Sequence, residues 1–339
     1  MRTLADRLGR LGTTVLLATR DDGETVSHGD VDATFLAASV SKLFTHALAF
    51  AAIDAGTLSR SDRVADVLAD GDIAGIHTVR GVDHVPGITV GHLLDQTSGL
   101  ANLEFEKVRG GTTLFTEISR RDRAVDWPEL ADRHRALGGK AAPGAKAHYS
   151  DANALLLARM LETVTGSGYA ELLERHITAP LGLGSTALLG PDGTVEGLPL
   201  PMPVRSRRAI VGIGKYAASQ APAGGVVTTA RDLMRFSVAF HGGELFDRAH
   251  VEGREFRRIQ FVPLGYGAGM MRLELPRIVS PVVPAPEILG HSGSTGSFAF
   301  RCPSRGVHVV GTLNRIDVKP FEAVYRAIRE LDEGVEQRP

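Results

Sequence analysis

The chain has 339 residues, of which 43% are hydrophobic and 23% are charged, a composition that is ordinary for a globular protein with a sizeable core. The formal net charge of −1 gives no reason to expect a nucleic acid or an anionic membrane surface as a partner. The single cysteine, Cys302, excludes an intrachain disulfide, and its strand-like surroundings favour a half-buried thiol over a nucleophile or a metal ligand.

The first elements predicted along the chain are a short helix and a β-hairpin. Leu4, Leu8 and Leu11 recur on one side of a helix, and two strand-like runs flank a turn at residues 21–23. This N-terminal stretch lacks the apolar core and the cleavage site of a signal peptide, and no segment approaches the roughly 20 apolar residues that span a bilayer. We therefore expect a cytoplasmic protein.

A helix with an apolar stripe is predicted from Ser39 onwards, and helical patterns broken by loops then continue to about residue 200. Helices are expected to end at Gly99 and Gly166, because glycine readily adopts the left-handed conformation that closes a helix. Residues 101–140 are charged and irregular in pattern. We interpret them as a lid or a substrate-facing segment.

Strand patterns return after residue 220 and lead to a C-terminal helix. This order predicts an α/β (α+β) fold, in which an antiparallel sheet with flanking helices carries an inserted helical domain. We assign residues 1–65 and 220–339 to the sheet domain and residues 66–219 to the helical insert. The run His241-Gly242-Gly243 follows a predicted helix, so we interpret it as a helix C-cap rather than as a site.

Ser39 and Lys42 are the first candidate functional pair. They lie three positions apart and on a helix project from the same face, beside the apolar stripe. A serine is a poor nucleophile until a base takes its proton, and a lysine can be that base when partial burial keeps it neutral. A serine at a helix N-terminus also offers its backbone N–H to a developing oxyanion. The alternative is a serine N-cap with an exposed lysine.

Two further stretches accompany this pair: Tyr149-x-Asp151 just before a predicted helix, and His291-x-Gly293 on a predicted strand. In this order and at this spacing the three elements resemble the motifs of the serine β-lactamase and penicillin-binding-protein superfamily. Those motifs are S-x-x-K, Y-x-N and K-T-G, the last often H-x-G in the esterases. The resemblance points to the branch of class C β-lactamases, D-alanyl-D-alanine carboxypeptidases and related esterases. It extends over nearly the whole chain and implies a β-lactamase/transpeptidase-like fold.

The resemblance implies a role for each matching residue. Ser39 is expected to be the nucleophile, Lys42 its proton partner, and Tyr149 a second general base and acid. The backbone N–H groups of Ser39 and Ser294 are expected to form the oxyanion hole.

Substrate-binding positions are implied at Asp151, His291 and Gly293, where a side chain on Gly293 would crowd the substrate. His291 stands where β-lactamases and carboxypeptidases carry lysine. Since a neutral histidine does not supply the fixed positive charge that holds a substrate carboxylate, we expect neutral esters or amides as substrates. The alternative for His291 is that it packs beneath the sheet.

Asp151 stands where the family motif has asparagine. A carboxylate can only accept hydrogen bonds, and it would stabilise the charged form of Lys42 and so weaken the lysine as a base. A charged Lys42 would in turn lower the pKa of Tyr149. The hypothesis that follows is a shift of the base role from Lys42 to the tyrosine.

The sequence thus predicts a serine hydrolase that works through an acyl-Ser39 intermediate, without metal or organic cofactor. The leading activity is hydrolysis of a carboxylic ester on a small intracellular substrate. The alternative is transfer of the acyl group to an alcohol or amine in natural-product biosynthesis. β-Lactamase or D-peptidase activity, or a catalytically silent binding module, is less favoured. The acyl group, the acceptor and the oligomeric state stay open.

Overall fold

The structure is a computed structural model that describes residues 15–207, 209–275 and 285–336. The helix predicted around Leu4, Leu8 and Leu11 lies outside these residues. Among the described residues, no helix is both long and apolar enough to cross a membrane.

An eight-stranded sheet forms the centre of the molecule, and every neighbouring pair in it is antiparallel. Its members are Val15–Arg20 (β1), Thr25–His28 (β2), Arg257–Arg258 (β10), Leu264–Gly267 (β11), Met270–Leu273 (β12), Ile288–Ser292 (β13), Ser297–Cys302 (β14) and Val307–Thr312 (β15). Their spatial order is β10-β11-β12-β13-β14-β15-β1-β2, so β15 from the C-terminal part of the chain pairs with β1 from the N-terminal part.

The predicted hairpin is confirmed, because β1 and β2 pair across a turn in which Gly23 has a φ of 92°. Alternate residues of the sheet face different layers, as the two-residue period of a strand requires. Leu16 packs towards the C-terminal helix, whereas Val15 and Val310 pack towards helices on the opposite face.

The described α-helices divide between the two faces of the sheet and a helical region beside it. They are Ser41–Asp54 (α1), Val64–Val67 (α2), Asp70–Ile73 (α3), Val90–Leu94 (α4), Leu114–Arg120 (α5), Trp127–Leu137 (α6), Ala152–Thr165 (α7), Tyr169–Leu173 (α8), Ala179–Leu181 (α9), Gly214–Ser219 (α10), Ala221–Gly224 (α11), Ala230–Gly242 (α12) and Phe321–Glu336 (α13). A π-helical segment, Glu174–Thr178, joins α8 to α9.

Glycine ends several of these helices. Gly166 closes α7 and Gly243 closes α12, both in the left-handed conformation, which confirms the predicted C-cap at residues 241–243. The prediction for Gly99 is wrong. Helix α4 already ends at Leu94, and Gly99 lies in the loop beyond it.

The helical region contains more strand than its sequence pattern predicted. In the part of residues 66–219 that the structure describes, there are five two-residue strands: Thr78–Val79 (β4), Val82–Asp83 (β5), Ala187–Leu188 (β6), Arg205–Ser206 (β7) and Ala209–Ile210 (β8). Strand β6 joins Phe35–Leu36 (β3) and Val226–Thr228 (β9) in a three-stranded sheet. Two-residue strands carry too little alternation to be recognised from sequence.

Candidate active site

Ser39 lies in a tight turn that connects β3 to α1. A 3-10 turn at Ala38–Val40 precedes the helix, so Ser39 is two residues ahead of α1 rather than its capping residue, and it makes no side-chain cap hydrogen bond. Ala38 has a φ of 46°, a conformation that costs a non-glycine residue about 1–3 kcal/mol. Ser39 itself is partly exposed. The strained turn thus presents the hydroxyl outward.

The turn is fixed by the connection between β13 and β14. Ser297 Oγ donates to the backbone oxygen of Ala37 at 2.5 Å, and Thr295 Oγ1 donates to that of Leu36 at 3.2 Å. Ser294 belongs to the same connection and lines one pocket together with Ser39. The two residues predicted to form an oxyanion hole therefore line the same pocket.

Lys42 is fully buried, which excludes the alternative of an exposed lysine beside a serine cap. Its Nζ atom lies 3.2 Å from Ser39 Oγ, 2.7 Å from the backbone oxygen of Ala223 and 2.5 Å from Asp151 Oδ1. One turn of α1, the start of α7 and helix α11 thus meet at a single nitrogen atom. The spacing of Ser39 and Lys42 correctly predicted their contact.

Gln96 positions the turn that carries Tyr149 and Asp151. Its Oε1 atom accepts hydrogen bonds from the Ser150 backbone N–H at 2.8 Å and from Asn153 Nδ2 at 2.5 Å. Its own backbone oxygen accepts from the His148 N–H at 2.8 Å. Gln96 is buried and has a φ of 55°. Sequence reasoning missed this residue, and the stretch "LDQTSGL" offers no periodic signal for it.

Tyr149 lies against the lysine and the serine. Lys42 Nζ is 5.3 Å from the centre of the Tyr149 ring, and the tyrosine hydroxyl lies close to the Ser39 side chain without completing a hydrogen bond to it. Burial, and then the charge of Asp151, raise the pKa of Tyr149 well above its usual value. The prediction that this pKa is lowered is wrong, because removal of the phenol from water and the negative charge of Asp151 raise it. Tyr149 is therefore a neutral phenol at ordinary pH.

The Tyr149 hydroxyl offers the first test of this arrangement. Among the described residues no group completes a hydrogen bond to Tyr149 Oη, so Tyr149→Phe is expected to leave the midpoint of thermal unfolding nearly unchanged. It should lower kcat about 100-fold, a modest value for a group that transfers a proton in the reaction. Steady-state kinetics and thermal melting on the same preparation check both parts. A variant with unchanged kcat would remove Tyr149 from the catalytic machinery.

His291 is fully buried and contacts aromatic rings rather than the pocket. Its ring centre is 6.1 Å from that of Tyr149 and 5.7 Å from that of Tyr266, and its Nδ1 atom lies 2.9 Å from the backbone oxygen of Ser292. Burial, and then the charge of Lys42, hold the pKa of His291 well below its usual value. The imidazole is therefore neutral at pH 7. Its place matches the alternative that it packs inside the protein.

Gly293 packs against the turn that carries Ser39. A Cβ atom at this position would lie 2.2 Å from Ser297 Oγ, 2.8 Å from the backbone oxygen of Ala37 and 2.9 Å from Ala38 Cβ. Sequence analysis assigned the need for glycine here to the substrate. The structure corrects this reason, because the atoms that a side chain would meet belong to the protein.

We expect Gly293→Ala to push the β13–β14 connection away from Ala37 and Ala38. The overpacked contact should lower the free energy of unfolding by about 1–3 kcal/mol. The displaced serine should lower kcat/KM about 100-fold, because a misplacement of about 1 Å has that effect. The matched control is Gly242→Ala at the end of α12, where a Cβ meets nothing within 4 Å. Equal activity of both variants would contradict the role given to Gly293.

The pocket beside Ser39 is mostly apolar. Its polar lining comes from Ser39, Asp151, Ser294 and three side chains that sequence reasoning missed, Glu104, Tyr216 and Gln220. The remaining lining residues are Leu36, Ala38, Phe115, Ile213, Ala217, Ala223 and Gly224. Phe115 and Glu104 come from the segment 101–140, so part of the predicted lid does face the pocket.

A family model described as Beta-lactamase matches residues 2–333 of the chain. Penicillin-binding protein 4 of Amycolatopsis lactamdurans is 28% identical over 219 residues, which cover 61% of this chain and 50% of that protein. The D-alanyl-D-alanine-carboxypeptidase/endopeptidase AmpH of Escherichia coli (strain K12) is 29% identical over 260 residues, which cover 71% of this chain and 60% of that protein. The aligned part is thus between half and three-fifths of the length of these curated relatives.

Two solved structures resemble the chain over nearly its whole length. The D-stereospecific amidohydrolase from a Streptomyces species has a TM-score of 0.75 at 23% identity and covers 96% of each chain. The D-amino acid amidase from Ochrobactrum anthropi SV3, complexed with L-phenylalanine amide, has a TM-score of 0.76 at 19% identity and covers 98% of this chain and 97% of its own. At these identities the likeness establishes the fold, and it confirms the predicted architecture.

Proposed function

Since the chain belongs to the beta-lactamase family, we propose that it is a serine hydrolase that forms an acyl-Ser39 intermediate and hydrolyses a carboxylic ester. One observation carries this proposal: a partly exposed serine hydroxyl lies 3.2 Å from the buried amine of Lys42, at the wall of an apolar pocket. A serine becomes an effective nucleophile when a base within hydrogen-bond reach takes its proton.

The three contacts of Lys42 Nζ are all with hydrogen-bond acceptors. The backbone oxygen of Ala223 and Asp151 Oδ1 can only accept hydrogen bonds, and they take two of the N–H donors. The third N–H donates to Ser39 Oγ at 3.2 Å. In the neutral form of Lys42 a lone pair replaces this third N–H and faces the Ser39 hydroxyl. That form is the base of the proposed acylation step.

The proposed reaction proceeds in two stages. Ser39 Oγ attacks the substrate carbonyl while its proton moves to Lys42 Nζ, and the backbone N–H groups of Ser39 and Ser294 hold the oxyanion. The bond to the leaving oxygen then breaks, and Tyr149, a neutral phenol, gives that oxygen a proton and regains one from Lys42. In the second stage a water molecule attacks the acyl-Ser39 carbonyl by the same route, and this releases the acid.

The polarity of the pocket supports a substrate without a free carboxylate. Lys42 is held between Ser39, Ala223 and Asp151, and His291 is neutral. Among the described residues that line the pocket there is no arginine, lysine or histidine. A carboxylate on the substrate would therefore enter the pocket without a cationic partner, which costs free energy.

The amide of an amino acid is a second candidate substrate. Two acidic side chains, Glu104 and Asp151, line the otherwise apolar pocket, and carboxyl oxygens can accept hydrogen bonds from an ammonium group. Two similar structures are those of a D-stereospecific amidohydrolase and a D-amino acid amidase. Comparing kcat/KM for D-phenylalanine amide with that for an ester of the matching acid without the amino group decides between the two candidates.

A p-nitrophenyl ester with a short neutral acyl chain tests the proposal. We expect a burst of p-nitrophenol equal to the enzyme concentration whenever deacylation is slower than acylation, and steady release of the free acid in either case. Adding alcohols or amines then distinguishes hydrolysis from acyl transfer to one of these acceptors. If acylated acceptor replaces the acid at millimolar acceptor, the enzyme is an acyltransferase. No catalysed release from any such ester or amide would contradict the proposal.

A further inference from the structure

Glu104 is a carboxyl group in the pocket wall that neither the motifs nor the reaction scheme uses. Its Oε1 atom accepts a hydrogen bond from Tyr216 Oη at 3.0 Å, and its side chain is also within hydrogen-bonding reach of Asp151. It therefore lies next to the carboxylate that contacts Lys42. Glu104 and Asp151 line this pocket and also a second, smaller cavity.

If Glu104 and Asp151 are both ionised, one buried carboxylate oxygen is left without a hydrogen-bond donor. Asp151 Oδ1 takes a donor from Lys42, but Asp151 Oδ2 is buried and has no donor among the described residues. Two adjacent carboxylates repel each other, and a buried acceptor without a donor costs about 1–3 kcal/mol. A proton on Glu104 removes both costs at once, because the resulting O–H can donate to Asp151 Oδ2.

We propose that Glu104 is a positioning residue that carries this proton at neutral pH and, through it, limits the negative charge beside Lys42 to one. The inference rests on the proposed function, since its effect on turnover is exerted through Lys42. Burial, and then the charge of Asp151, raise the pKa of Glu104 to about 8, in keeping with this assignment.

The shared proton accounts for the presence of aspartate where the family motif has asparagine. A hydrogen bond from Glu104 spreads the charge of Asp151 over two carboxyl groups and weakens its hold on an ammonium. The neutral form of Lys42, which the acylation step needs, is then more accessible. When Glu104 loses its proton, a second negative charge stabilises the ammonium form of Lys42 and the serine loses its base.

Groups on several elements face Glu104, and each has a defined effect. The charge of Lys42 on α1 and the hydroxyl of Tyr216 on α10 favour the ionised form, whereas Asp151 at the start of α7 favours the protonated form. Tyr149 is neutral because its pKa is raised. His134 on α6 lines the second, smaller cavity, and burial lowers its pKa to about 4, so it too is uncharged at the pH of interest.

The test compares the pH dependence of kcat for wild type and Glu104→Gln on a p-nitrophenyl ester, each normalised to its own maximum. In the wild type kcat should fall about tenfold per pH unit above about pH 8, the slope of a single ionisation. Glutamine keeps an acceptor for Tyr216 and a donor for Asp151 at every pH, so the variant should show no such fall between pH 8 and 9.5. Coincident alkaline limbs would overturn the proposal.

Tyr216→Phe provides a second variant. It removes a hydrogen bond that favours ionised Glu104, so the alkaline limb should persist but move to higher pH. If Glu104 had a purely structural role, neither Glu104→Gln nor Tyr216→Phe would change the alkaline limb of the pH profile of kcat.

Thermal unfolding tests the protonation of Glu104 without requiring catalytic activity. Because the pKa of Glu104 is about 8 in the folded chain against 4.5 as an ordinary glutamate, the stability that its protonated form contributes is full below about pH 4.5 and is lost as pH rises through 8. The melting temperature of Glu104→Gln relative to wild type should therefore rise between pH 5 and 8. A constant difference contradicts the shared proton even if every ester proves inert, so the two failures can be told apart.

Discussion

Ser39→Ala is expected to lower kcat for ester hydrolysis by about 10⁴–10⁶-fold, the range that loss of the nucleophile produces in serine hydrolases. The change removes one partly exposed hydroxyl that caps no helix, so the fold should be unaffected. Residual turnover would come from the oxyanion hole and from substrate binding alone. Steady-state kinetics measured to the limit of the uncatalysed rate, together with a thermal melt, check the prediction.

Ser294→Ala is the matched control for this variant. It deletes a serine hydroxyl from the same pocket. In the proposed mechanism Ser294 acts only through its backbone N–H, which alanine retains. We expect kcat/KM within a few-fold of wild type. Comparable losses in both variants would mean that Ser39 contributes through pocket polarity and not as the nucleophile.

Lys42→Met is expected to lower kcat by about 10³-fold or more and also to destabilise the protein. Methionine fills the volume of a fully buried side chain but takes the cation away from Asp151 at 2.5 Å. Breaking a buried ion pair by removal of one partner costs about 3–5 kcal/mol, because the remaining charge is left without compensation. Kinetics and denaturant unfolding at pH 7 measure the two effects separately.

The double variant Lys42→Met/Asp151→Asn separates the two roles of the lysine. Removing the uncompensated carboxylate should restore most of the lost free energy of unfolding, while kcat should stay at the level of the single variant, because the base is still absent. Recovery of activity along with stability would show that Lys42 acts only as a structural partner of Asp151.

The short-range geometry of the site could be predicted from sequence. Ser39 and Lys42 are in contact because residues three apart are neighbours in a helical turn, here the 3-10 turn that leads into α1. This contact needs no tertiary information. The resemblance of the motifs to the serine β-lactamase and penicillin-binding-protein superfamily is confirmed, as is the fold that it implied. The roles of Tyr149 and Ser294 remain predictions that the variants must test.

Contacts between distant segments could not be predicted in this way. Glu104 and Tyr216 are 112 positions apart, and Gln96 reaches the turn of Tyr149 from 54 positions away. None of these side chains belongs to a repeating pattern, since each serves a single hydrogen bond or turn. The direction of the Tyr149 pKa shift was missed for a related reason. It depends on burial by several elements, whereas sequence reasoning considered only the charge of one neighbour.

The covalent intermediate is the centre of the account, and labelling with a fluorophosphonate tests it most directly. The reagent should add one phosphonyl group per chain, and peptide mass spectrometry should place it on Ser39, with no adduct on the Ser39→Ala variant. Failure to label the folded wild-type protein, or an adduct on another serine, would contradict the assignment of Ser39 as the nucleophile.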